Sequence, residues 1–173
     1  MRDDPMESLK SRRGLAVLAL LLVVAGGWYV LLPKGGANDF SLVDIDGEPF
    51  QLKDFRGKVV LLDFMATWCG PCRASMVDLL KLREEFGEEL VMISISVDPT
   101  YDTVEQLKAW RDEFNADWIH ARDTADPPVS QSFEARSIPT LVIIDKRGEI
   151  GFRHVGPTPA ETLIGEVSEL LSK

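Results

Sequence analysis

The chain has 173 residues, 45% of them hydrophobic, with 28 Asp and Glu against 19 Lys and Arg and a formal net charge of −9. This length holds one domain plus an appendage, and the acidic balance argues against nucleic acid or an anionic lipid surface as partner. The two histidines, His120 and His154, lie 34 residues apart, and with two cysteines in all, no four-ligand zinc spacing is present, so no metal site is expected.

Residues 1–13 are polar and carry Arg2, Lys10, Arg12 and Arg13. From Gly14 to Leu32 runs a stretch of 19 residues without a charge, about 28 Å as a helix and so close to the hydrocarbon thickness of a bilayer. Trp28 and Tyr29 near its end suit an interfacial belt. The pattern predicts one N-terminal transmembrane helix over residues 14–33, with 1–13 as a cytoplasmic tail by the positive-inside rule. The small residues Gly35, Gly36 and Ala37 leave a cleaved signal peptide as the rival reading. Residues 34–38 are a short linker, and 39–173 form the folded domain, placed outside the cytosol. Residues 34–173 hold 15 Lys and Arg against 25 Asp and Glu, a net charge of −10.

Asp39 to Leu52 alternates about an Asp46-Gly47 turn and predicts a β-hairpin. Asp54 to Lys58 reads as a loop. Val59-Val60-Leu61-Leu62 is an apolar, partly β-branched run, hence a buried strand. Met76, Leu79, Leu80 and Phe86 then recur at helical spacing, and Gly87 suits the stop. Leu90 to Val97 is a second buried strand. Asp102 to Phe114 reads as a helix, with Asp102 and Glu105 spaced like a capping box. Trp118 to His120 is a short strand and Val129 to Ala135 a short helix. Leu141–Ile144 and Glu149–Arg153 are strands joined through Gly148. Thr158-Pro159-Ala160-Glu161 opens a final helix as a capping box with Pro159 at its first position. Its buried stripe is Leu163, Ile164, Val167, Leu170 and Leu171. This order predicts a mixed α/β sheet with helices on both faces.

The only cysteines of the chain stand in Trp68-Cys69-Gly70-Pro71-Cys72, where the central strand turns into a helix. Free N–H groups and the positive end of the helix dipole favour a thiolate at Cys69. Cys72, one turn on and more enclosed, is set to resolve a mixed disulfide formed at Cys69. A purely structural bridge is disfavoured, because so short a loop constrains little of the unfolded chain. Asp63 interrupts the apolar strand six residues before Cys69. Buried there, its carboxyl has a raised pKa and exchanges a proton with Cys72; the bland alternative is an acid reaching solvent at the strand edge.

Phe55-Arg56-Gly57-Lys58-Val59-Val60, the run from Asp63 to Cys72, and Ile138-Pro139-Thr140 give the chain a resemblance to the thioredoxin fold, and within it to the membrane-anchored thiol–disulfide oxidoreductases of the TlpA and ResA type. The resemblance implies Cys69 as nucleophile, Cys72 as resolving thiol, and Pro139 as a cis proline facing them. It implies that main-chain groups of Ile138 pair with an extended partner, with Trp68, Gly70 and Pro71 shaping the docking surface. It also implies a proton-relay role for Asp63. No cofactor is implied beyond the cysteine pair. Ser75 and Val77 depart from several anchored relatives, which carry Glu and Pro there, and Ser94 stands where thioredoxin brings a Lys near the buried acid.

Gly70-Pro71 resembles thioredoxin rather than oxidising enzymes, so a reductant is expected. The implied partners are disulfide-containing exported proteins, apocytochromes among them, and a membrane electron donor of the CcdA or DsbD type; nothing in the sequence signals more than a monomer. Two other classes share features. A peroxiredoxin-like peroxidase needs a Thr or Ser three residues before its nucleophile and a Pro seven before, where this chain has Ala66 and Leu62. A Sco-type copper-transfer protein, suggested by Ser96-Val97-Asp98-Pro99, uses a C-x-x-x-C spacing instead of C-x-x-C.

Overall fold

The computed structural model describes residues 39–173. The tail, anchor and linker expected over 1–13, 14–33 and 34–38 lie outside them. Among the described residues no helix is long and apolar enough to cross a membrane.

The alternating segment forms the expected antiparallel hairpin, β1 (Ser41–Val43) with β2 (Pro49–Gln51). The Asp44 carboxylate accepts from the main-chain N–H groups of Asp46 and Glu48, both at 2.9 Å, and Gly47 takes φ 96° between them. Leu52–Phe55, read as hairpin end and loop, is a turn of 3-10 helix, because Asp54 reaches back 2.8 Å to accept from the Gln51 N–H.

The main sheet has five strands in the order β5-β4-β3-β6-β7. They are β3 (Val59–Met65), β4 (Leu90–Ser96), β5 (Ile119–Arg122), β6 (Thr140–Ile144) and β7 (Ile150–Val155). β3, β4 and β5 run parallel, while β6 pairs antiparallel with both β3 and β7. β3 is central and buried along its whole length, which is why its sequence is nearly all apolar.

Strand alternation divides the core in two. Val59, Leu61 and Met65 face one side and pack with the helices α1 (Gly70–Phe86), α2 (Val104–Phe114) and α4 (Ala160–Leu171). Val60, Leu62 and Phe64 face the other, against Leu42, Leu52, Val129 and Phe133. That second face is covered by the hairpin, the 3-10 turn and the four-residue helix α3 (Val129–Ser132), shorter than the segment read as helical. Helices thus lie on both faces, but all three long ones share one. Each fully buried Leu contributes roughly 1.5–3 kcal/mol to holding these layers.

Two helix starts differ from expectation. α2 is capped by Thr103, which exchanges hydrogen bonds with Gln106 in a capping box shifted by one residue. Asp102, read as the cap, is fully buried and turned inward. α4 begins after Pro159 without a side-chain cap of its own. Its first N–H, from Ala160, donates 3.2 Å to the Asp78 carboxylate on α1, so the orphan donor is satisfied from another helix.

Candidate active site

Cys69 is the N-cap of α1, and Gly70 and Pro71 occupy the first turn, where a missing N–H costs nothing. Cys69 and Cys72 are joined in a disulfide, with Cα atoms 5.2 Å apart. The Cys69 sulfur accepts the Cys72 main-chain N–H at 3.1 Å. The same N–H and the open end of the helix would face a thiolate at Cys69 once the bridge is reduced. Cys69 is 5% exposed and Cys72 3%, so the second cysteine is more enclosed, by less than its place one turn in suggested.

Asp63 lies on the strand face that carries Leu61 and Met65 toward the cysteine-bearing helix. It is buried, not a solvent-reaching acid. Burial raises its pKa from 3.8 to about 7, and a hydrogen bond from the Ser94 hydroxyl opposes that rise. Ser94 is paired with Asp63 across β3 and β4, as expected, and donates to it at 3.0 Å. The Trp118 indole in turn donates to the Ser94 oxygen at 3.0 Å. Because the indole N–H can only donate, the single Ser94 proton is directed at Asp63. Trp118 stacks on His120, whose Nε2–H meets the Ala116 carbonyl at 3.0 Å and whose pKa burial lowers to about 4. The imidazole is therefore neutral at neutral pH and does not serve as a proton donor.

The Ile138–Pro139 peptide is cis, and a second cis bond, Asp126–Pro127, precedes α3. β6 pairs antiparallel with β3, with Thr140 opposite Phe64, so Pro139 sits at the sheet end from which Cys69 departs. The Ile138 side chain packs against the cluster that contains both cysteines, while its main chain makes no hydrogen bond among the described residues. Trp68 is 55% exposed, and its indole donates 3.2 Å to Asp98. Arg73 pairs with Glu113 and lies over the rings of Trp110 and Phe114 at 4.9 and 5.1 Å. The Ser75 hydroxyl bonds back to the Pro71 carbonyl at 3.2 Å. His154, on β7, is half-buried against Glu166 at 2.7 Å.

The sequence reading missed Asp98, Asp102 and Trp118. The carboxylate of Asp102 accepts from the Thr67 N–H at 3.0 Å, the Thr67 hydroxyl at 2.5 Å and the Ser96 hydroxyl at 2.6 Å. An Asp before a helix is the usual signature of a cap, and nothing local distinguishes one that has turned away.

A profile described as Redoxin matches residues 33–172. The thioredoxin-like protein YneN of Bacillus subtilis is 34% identical over 150 residues, covering 81% of this chain and 87% of that protein. The thiol-disulfide oxidoreductase ResA of Bacillus cereus is 26% identical over 94% of this chain and 99% of its own length. The exposed lipoprotein thioredoxin Etrx1 of Streptococcus pneumoniae superposes with a TM-score of 0.65 at 27% identity, covering 76% of this chain and 99% of that structure.

Proposed function

Because the chain belongs to the Redoxin family and is a thiol–disulfide oxidoreductase of the TlpA/ResA type, we propose that it reduces disulfides of exported proteins from a membrane-tethered position outside the cytosol. The observation that carries the reading is the Cys69 sulfur capping α1 with an N–H already directed at it. Residues 14–33 would be the tether, and the name of the pneumococcal relative, an exposed lipoprotein, fits an outward-facing domain.

In the reduced protein, the Cys69 thiolate attacks one sulfur of a partner disulfide. That S–S bond breaks, the departing partner sulfur takes up a proton, and a mixed disulfide remains. Cys72 then gives its proton to the Asp63 carboxylate and attacks the Cys69 sulfur. The second partner sulfur leaves and is protonated, and the Cys69–Cys72 bridge forms. Two electrons have passed to the partner. A base with a pKa near 7 is matched to this transfer at neutral pH. The main chain of Ile138, without a hydrogen bond among the described residues, supports strand-like docking of an extended partner, with Trp68, Gly70 and Pro71 forming the exposed rim.

A membrane electron donor of the CcdA or DsbD type would return the bridge to the dithiol, and apocytochromes awaiting haem are one class of acceptor. Equilibration with glutathione tests the direction of flow. The proposal expects a reduction potential near that of thioredoxin, about −270 mV; a value near −120 mV, as in DsbA, overturns it. Trapping tests the partners: Cys72→Ser should leave exported proteins covalently bound at Cys69, and recovery of none would contradict the substrate assignment.

A further inference from the structure

We infer that Asp102 is a positioning residue for the Cys69 sulfur, acting through Thr67 and Trp68. It rests on the reading of Cys69 as the attacking thiol. Asp102 lies in the loop between β4 and α2, 35 positions along the chain from the segment it holds. One carboxylate oxygen takes both the Thr67 N–H and the Ser96 hydroxyl, and the other takes the Thr67 hydroxyl. The carboxylate is fully buried and the bond from Ser96 with it, while the two from Thr67 are part-buried. Thr67 is two residues before Cys69, and only the turn closed by the Cys69 N–H on the Ala66 carbonyl separates it from the sulfur.

The same loop grips the segment twice more. The Val97 N–H donates to the Met65 carbonyl at 2.9 Å, and Asp98 accepts the Trp68 indole. Beyond the cysteines, α2 meets α1 again, where Arg73 pairs with Glu113 and lies over Trp110 and Phe114. The loop and helix between β4 and β5 therefore brace both flanks of the cysteine pair. Asp102 is the buried link of that brace, and its carboxylate bonds Thr67 and Ser96 rather than either cysteine.

Positioning and simple charge predict different outcomes. Asp102→Ala removes all three bonds. Asp102→Asn keeps an oxygen for the Thr67 N–H and the Ser96 hydroxyl, and its amide can donate to the Thr67 oxygen. With the reduced full-length protein, iodoacetamide alkylation of Cys69 is followed against pH, alongside insulin reduction and thermal unfolding. In Asp102→Ala the Cys69 rate at pH 7 should fall about tenfold or more, and Asp102→Asn should restore most of it. Thr67→Val, which keeps the N–H but removes the hydroxyl, should fall between them and stands in if the Ala variant does not fold. Equal behaviour of the Asn and Ala variants would assign the effect to charge and overturn positioning. A lower melting temperature with unchanged Cys69 kinetics in Asp102→Ala, or in Thr67→Val if that variant must stand in, would also overturn it. Wild-type Cys69 alkylating no faster than free cysteine would instead sink the reading beneath it.

Discussion

Enclosure beside the Ser94 hydroxyl raises the Asp63 carboxyl from 3.8 to about 7, so the folded protein holds a proton there that the unfolded chain releases. The native state then binds more protons between those values, and stability falls as pH rises through that window. A shift of this size corresponds to about 4 kcal/mol. The favourable contribution is complete below about pH 4 and gone above about pH 7. In the oxidised protein, Asp63→Asn should therefore be more stable than wild type at pH 8, with the gain vanishing near pH 4. Urea midpoints across pH 3–9 measure this, and two parallel pH curves would show that the carboxyl is not buried as described. The same substitution should slow release of the mixed disulfide at pH 7 and matter less at pH 9, where Cys72 loses its proton unaided. At this scale the sequence was most informative where a residue clashed with its surroundings: an acid in an apolar strand is conspicuous, and so are two cysteines three apart. Asp102 is equally buried but stands before a helix among polar residues, so its sequence marks it only as a cap.

Among the elements, the helix starts show where local pattern stops deciding. Asp102-x-x-Glu105 and Thr103-x-x-Gln106 are overlapping capping boxes, and either could begin α2. Thr103 takes the role because Asp102 is claimed by Thr67 and Ser96, residues distant or on another element. Thr103→Ala should cost about 1 kcal/mol in chemical unfolding, without changing Cys69 reactivity. For α4 the cap is wholly non-local, supplied by Asp78 from α1. Asp78→Ala should also cost about 1 kcal/mol by leaving that N–H unpaired; an unchanged urea midpoint would show that water replaces the carboxylate. The exposed Arg73–Glu113 pair is expected to contribute less than about 1 kcal/mol by itself.

For the whole molecule, the order of strands and helices was legible because apolar period and turn chemistry agree along most of the chain. Burial of β3 on both faces made its run unbroken, and the alternating hairpin declared itself half-covered. Which face each helix occupies was not legible, since it depends on packing among α1, α2 and α4 rather than on any one stripe. Residues 14–33 set the remaining expectation. The full-length protein should sediment with membranes and require detergent, and deletion of 1–33 should release it. A soluble full-length product trimmed near residues 35–37 would instead identify a cleaved signal.

The central claim is that the helix tip makes Cys69 the attacking sulfur. Its most direct test is alkylation of the reduced protein between pH 4 and 9, with each modified cysteine mapped by mass. The account predicts Cys69 reacting about tenfold faster than free cysteine at pH 6, and Cys72 following only at higher pH. A Cys69 profile centred near the free-cysteine value of about 8.5, or modification of Cys72 first, would contradict it.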